Sequence, residues 1–197
     1  NQLTPMSEDE RVTRDILLQT PDACVLQVAD AKNLRRALTL TMELAELGAP
    51  VVLALNMQDE ARERGIRVSR ERLEEFLGVP VVETVAIRRQ GISRLQEATA
   101  RAARPRETAR YPDVIEHWIQ ALLPHLAREG SRARFLALQI LSGDDSISGY
   151  LRSRLPQTEL EALERLRREA DVSLAGDTAN QIRLARLETA DAILKQV

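Results

Sequence analysis

Three short apolar runs alternate with helix-period segments through the first half of the chain. The runs are residues 24–29, 51–55 and 79–85, rich in Val and Leu and bounded by turn formers. Their length and continuous apolar character predict buried parallel strands. Pro50 and Pro80 stand at or beside two of the strand starts, where a missing N–H is tolerated. Between the runs, Leu34, Leu38, Met42 and Ala45 recur at helical spacing, with Asn33 as N-cap and Gly48 as terminator. Ser69 opens a shorter helix through Arg72, Leu73, Phe76 and Leu77, closed by Gly78. Residues 91–103 predict another, with Ile92 and Leu95 as its stripe. Ahead of the first strand, residues 7–19 predict a helix capped by Ser7, with Val12 and Ile16 on one face. Strand and helix in strict alternation imply right-handed crossovers and a parallel sheet.

The pattern changes near Arg104-Pro105. Beyond it no strand pattern occurs. Residues 111–126 are helical, with Pro124 expected to kink or end the helix. Residues 131–141 carry Phe135, Leu138 and Leu141 on one stripe and stop at Gly143. Residues 157–171 present Leu160, Leu163 and Leu166, and residues 174–196 present Ile182, Leu184, Leu187 and Ile193. These patterns predict an α/β half over residues 1–105 and an all-α subdomain of about four helices over residues 106–197.

Composition narrows the functional classes. The chain has 197 residues and a formal net charge of -2, so there is no general electrostatic drive toward nucleic acid or an anionic membrane. Aromatics are only 3%, which removes the stacking platform expected of a single-strand binder. Of 28 cationic side chains only Lys32 and Lys195 are lysines, and neither follows a glycine. A G-x-x-x-x-G-K-[ST] phosphate loop is therefore absent. The single cysteine, Cys24, permits no intrachain disulfide and reads as a small core residue. No apolar stretch approaches the ~20 residues that span a bilayer.

The most informative segment is Asn56-Met57-Gln58-Asp59, presented directly after the apolar run 51–55. Ligands of open α/β sheets bind beyond the carboxyl ends of strands. A carboxylate three residues after an asparagine can accept the N1 and N2 protons of guanine, a donor pair that adenine lacks. The competing reading is that Asn56 caps a helix whose first turn Asp59 supports. One strand later, Ala86-Ile87-Arg88 falls at the same edge, where backbone amides can meet the same base; an ordinary strand-to-helix loop with Gly91 at a tight turn is the alternative. Asp30 ends the first run and reads as a cap for the next helix. His117 and His125 lack zinc-site spacing, and Asp144-Asp145 lacks the remaining ligands of a calcium loop.

Several segments together resemble the cytoplasmic GTP-binding region of the ferrous iron transport protein B family, FeoB. Residues 1–18 look like the stretch after that family's switch II DxxG motif, and residues 27–34 look like its next strand and turn. Leu55-Asn56-Met57-Gln58-Asp59-Glu60-Ala61 is similar to its guanine-specificity motif, with Met57 where most GTPases carry Lys. Residues 85–92 resemble its last base-contacting loop, with Ala86 and Ile87 where Ser or Ala and Thr are more usual. Residues 134–144 match its helical subdomain.

The resemblance implies a partial P-loop-GTPase-like parallel sheet followed by a helical subdomain. It implies that Asn56, Met57 and Asp59 read guanine, that Ala86, Ile87 and Arg88 support the base, and that GTP or GDP is the ligand. The P-loop, switch I and DxxG motif are expected before Asn1, and Mg²⁺ and K⁺ with them. The chain then holds no catalytic residue and no metal ligand, and is inactive alone. The implied partner is the membrane-embedded domain of a parent transporter, on the cytoplasmic side of the bacterial inner membrane. The alternative is a non-enzymatic helical interaction module on a degenerate nucleotide-binding scaffold, docking a partner or forming a homo-oligomer.

Overall fold

A computed structural model describes residue 3 and residues 8–106, 108–174 and 176–197. Three parallel strands, β1 (Val25–Asp30), β2 (Val51–Asn56) and β3 (Val81–Glu83), form a sheet in sequence order. β2 is central, and its first five residues are buried, which is why that run is continuously apolar rather than alternating. Helix α1 (Glu8–Gln19) precedes the sheet; α2 (Leu34–Leu47), α3 (Gln58–Glu63), α4 (Arg70–Leu77) and α5 (Ile92–Thr99) are interleaved with it.

The local signals explain most of these boundaries. Gly48 and Gly78 end α2 and α4 in left-handed conformation. Ser69 Oγ accepts the N–H of Arg72, the predicted cap of α4. Val51, Leu53 and Leu55 face the larger core with α2 and α4. Val52 and Ala54 face the other side, where Leu95 and Ala98 of α5 cover them with Val82.

The second half is helical: α6 (Asp113–Leu122), a 3-10 segment from Leu123 to Arg132, α7 (Ala133–Leu141), α8 (Ser148–Arg154), α9 (Gln157–Ser173) and α10 (Thr178–Leu194). Pro124 does end α6. Every residue of α7 except Arg134 is buried, so this helix is the centre of the helical half. α7 and α10 both pack against α2, and one buried cluster runs through both halves.

That junction contains charge. Arg186 of α10 donates to Glu43 Oε1 at 3.0 Å and Glu46 Oε2 at 2.7 Å, both on α2. Tyr111 donates to Glu46 and accepts from Arg186 at 3.2 Å. All four side chains are essentially buried. Burial raises the Glu43 carboxyl and the Tyr111 phenol above their ordinary values.

Several expectations change. The third strand spans only Val81–Glu83, and the helix after it ends at Thr99 rather than 103. The helical half adds α8 and carries five α-helices among the described residues, not about four. Cys24 is exposed rather than core, because pairing begins at Val25 opposite Val51 and leaves Cys24 in the preceding turn. On α1 the predicted apolar face of Val12 and Ile16 is exposed, at 53% and 56%, while Arg14 and Leu18 are buried. The Arg14 guanidinium is buried against Asp144 (2.6 Å), Ser146 (2.7 Å) and Asp15. Its charged end is thus satisfied, and the helix turns that side inward. Ser7, the expected cap, lies outside the described residues.

Candidate guanine-nucleotide site

The register Asp30↔Asn56 and Leu55↔Glu83 brings the carboxyl ends of all three strands to one edge. Asn56 ends β2 there. Its Oδ1 accepts from Thr84 Oγ1 at 3.1 Å and from the backbone N–H of Ala86 at 3.0 Å. Asn56 therefore does not cap α3; its carbonyl oxygen ties the two loops together. Its side-chain nitrogen donates to no described residue, which leaves a donor for a ligand.

Met57 follows in left-handed conformation, φ 61°, and is the last residue before α3. The turn places Asp59 in the first helical turn. Asp59 Oδ1 accepts the N–H of Glu60 at 3.0 Å, and Oδ2 lies 3.6 Å from the guanidinium of Arg88. The carboxylate is 19% exposed and keeps unused lone pairs. The carboxylate is thus an acceptor oriented by both helix and loop.

The second loop is a 3-10 turn over Ala86–Arg88, closed by an antiparallel bridge between Val85 and Gln90. Gly91 is required next. Its φ is +82°, and a Cβ would lie 2.3 Å from the carbonyl oxygen of Glu83. The tight turn read from Gly91 is thus real, and the same loop also meets the Asn56 motif. Ile87 projects outward at 87% exposure. Asn56, Asp59, Ala86 and Arg88 therefore converge, with Met57 beside them and Ile87 at the rim.

Three neighbours of these residues escape sequence reasoning. Thr84 bonds Asn56. Lys32, after β1, places its ammonium 3.3 Å from Met57 Sδ and pairs with Glu60. Gln58 is buried, with no partner for its Nε2. Their available signals are a polar residue straight after β3 and the near-absence of other lysines. Asp30 accepts the N–H of Lys32 at 2.9 Å, so it shapes the turn into α2, while Asn33 makes no side-chain cap bond.

The other candidates are accounted for structurally. His117 stacks edge-on against Trp118, and His125 contacts Glu159 at 2.6 Å. Asp144 accepts the N–H of Ser146 at 3.0 Å and binds Arg14. Among the described residues no three His, Cys, Asp or Glu side chains converge as a metal site.

A family model described as "Ferrous iron transport protein B" matches residues 1–99, and one described as "FeoB cytosolic helical domain" matches residues 111–197. The chain belongs to the ferrous iron transport protein B family. A family member from Staphylococcus aureus (strain MSSA476), Fe(2+) transporter FeoB, is 31% identical over 160 residues, 78% of this chain and 24% of that protein. A Porphyromonas gingivalis Fe(2+) transport protein A/Fe(2+) transporter FeoB fusion protein is 34% identical over 162 residues, 76% of this chain and 19% of that protein. The chain thus spans about a quarter or less of the length of these relatives.

Two solved family structures match almost the whole chain. S. thermophilus NFeoB bound to GDP.AlF4- and K+ superposes with a TM-score of 0.83 at 29% identity, over 98% of this chain and 77% of that one. The mGMPPNP-bound NFeoB from S. thermophilus gives 0.81 at 30% identity, over 98% and 74%. The sheet and crossover helices are therefore those of a FeoB G domain, followed by the family's helical domain. Family membership and these guanine-nucleotide complexes do not favour a helical module on a degenerate scaffold. No helix among the described residues is long and apolar enough to cross a membrane.

Proposed function

We propose that residues 1–105 are the base-reading part of a GTP-binding region and residues 106–197 its helical subdomain, serving ferrous iron uptake through a membrane-embedded domain. The observation that carries this reading is the junction of Asn56 with Thr84 and Ala86, beside the contact of the Asp59 carboxylate with Arg88 of the 86–88 loop at the sheet edge. Asp59 accepts from guanine N1 and N2, Asn56 offers its free amide donor, and the 86–88 loop backs the base. Adenine presents no matching donor pair to Asp59.

Phosphate handling lies outside these residues in this reading. Mg²⁺ and K⁺ belong with that phosphate chemistry in this reading; among the described residues no three His, Cys, Asp or Glu side chains converge. The chain alone is expected to bind guanine nucleotide weakly and to show no GTP turnover. The region is assigned to the cytoplasmic face of the membrane, with hydrolysis and transport belonging to the longer assembly.

Amide NMR titration of the chain with GDP and ADP tests this directly, because it detects weak binding. GDP should shift Asn56, Asp59 and the 86–88 amides, and ADP should not. Equal shifts from both nucleotides would contradict the base assignment. Micromolar binding with GTP turnover by these residues alone would contradict the placement of phosphate chemistry elsewhere.

A further inference from the structure

Lys32 stands two residues beyond β1, one strand over from Asn56 in the register Asp30↔Asn56. Its side chain is only 14% exposed, uncommon for an ammonium. Its Nζ pairs with Glu60, lies 3.8 Å from Asp30 Oδ2, and approaches Met57 Sδ at 3.3 Å. Holding a long side chain in one geometry costs rotamer entropy, so these contacts act as a specific brace.

The brace touches both ends of one strained turn. Met57 has positive φ, which costs a non-glycine residue about 1 kcal/mol or more. Glu60 lies just past Asp59, and its backbone N–H is the donor to Asp59 Oδ1. A contiguous path therefore runs from the Lys32 ammonium through the Glu60 side chain and backbone to the Asp59 carboxylate. The same ammonium anchors the turn to the end of β1.

We propose that Lys32 is a positioning residue for guanine reading: by bracing Met57 and Glu60 across the strand ends, it sets the Asp59 carboxylate where a base beside Asn56 presents N1 and N2. This rests on the guanine reading above and adds a residue outside both base-contacting loops. Asp59 has Arg88 on its other side. Without Lys32 the Glu60 side chain loses its anchor to the end of β1, the Asp59 carboxylate is left with the Glu60 N–H and the looser Arg88 pairing, and it drifts from the exocyclic amine.

The test compares GDP with IDP, whose hypoxanthine keeps N1–H and lacks the exocyclic amine. The GDP-to-IDP affinity ratio therefore reports where the Asp59 carboxylate stands, and a brace that only stabilises the fold would not move it. The chain is titrated with each nucleotide by amide NMR, as wild type, Lys32→Met, Lys32→Arg and Glu60→Gln. Lys32→Met should lower the ratio about five- to tenfold, the scale of one mispositioned charge-assisted hydrogen bond. Glu60→Gln, at a half-exposed position, should shift it in the same direction, and Lys32→Arg should keep most of it. Equal weakening of both nucleotides, or no change in either, would overturn the proposal. A wild type without GDP preference, together with an Asp59→Asn variant that behaves identically, would overturn the guanine reading and this inference with it.

Discussion

Of the places where a carboxylate meets a guanidinium, the α2–α10 junction and the sheet edge do opposite things. At the α2–α10 junction, Glu43 and Glu46 are buried around Arg186 and Tyr111, and these groups direct their hydrogen bonds at one another. At the sheet edge, Asp59 meets Arg88 at 3.6 Å, longer than a direct hydrogen bond, and Arg88 is 59% exposed. The first arrangement leaves nothing for a ligand, and removing one partner strands the others in the interior. The second keeps acceptor capacity on Asp59 and donor capacity on Asn56. Residue chemistry alone does not mark a functional site; bonding capacity left unused in the folded state does.

Substitutions can separate the two. Arg186→Met leaves two buried carboxylates without their cation and should cost about 3–5 kcal/mol of stability, read by urea denaturation. Guanine preference should survive in whatever fraction stays folded. A loss under about 1 kcal/mol would show that the junction is not the mutually satisfied cluster described above. Gly91→Ala should act at the edge instead. Its Cβ meets the Glu83 carbonyl oxygen at positive φ, and the strain is about 1–3 kcal/mol. The 86–88 loop should move, and GDP affinity should fall more than thermal stability does. Retained affinity would detach that loop from the site.

A third carboxylate–guanidinium pair, on the helical half, lies between these extremes. Glu116 and Arg134 make two parallel bonds at 2.7 and 2.9 Å, partly exposed. Hydrogen bonding to Arg134 holds the Glu116 carboxyl below its ordinary value. The folded state therefore gives up this proton more readily than the unfolded chain. The stabilisation is complete above the ordinary carboxylate value and is lost as pH falls through the lower folded value. Glu116→Gln should cost about 1 kcal/mol or less near neutrality, after allowing for screening by solvent. It should also flatten the acid side of the stability curve. An unchanged acid limb would mean that the pair is solvated in practice.

The parallel sheet is readable from sequence because β2 carries five buried apolar residues in a row and glycines stop α2 and α4. The Asn56–Asp59 segment is readable because it follows that strand directly. What escapes depends on contacts between distant residues. Lys32 reaches Glu60 across 28 positions, and Thr84 reaches Asn56 across the same number. No local spacing encodes either. The apolar pattern overstates β3 because Val85 continues it, whereas Thr84 and Ala86 have already turned to Asn56. The inward side of α1 is misread because Arg14 counts as surface in any polarity pattern. Its partners, Asp144 and Ser146, lie 130 and 132 residues downstream.

Asp59 is the residue on which the base reading turns. Asp59→Asn replaces an acceptor-only group with one that also donates, which suits the C2 carbonyl of xanthine in place of the guanine amine. Paired titrations of wild type and Asp59→Asn with GDP and XDP decide the matter. Wild type should favour GDP, and the variant should reverse the order. An unchanged GDP preference in the variant would contradict the assignment of Asp59.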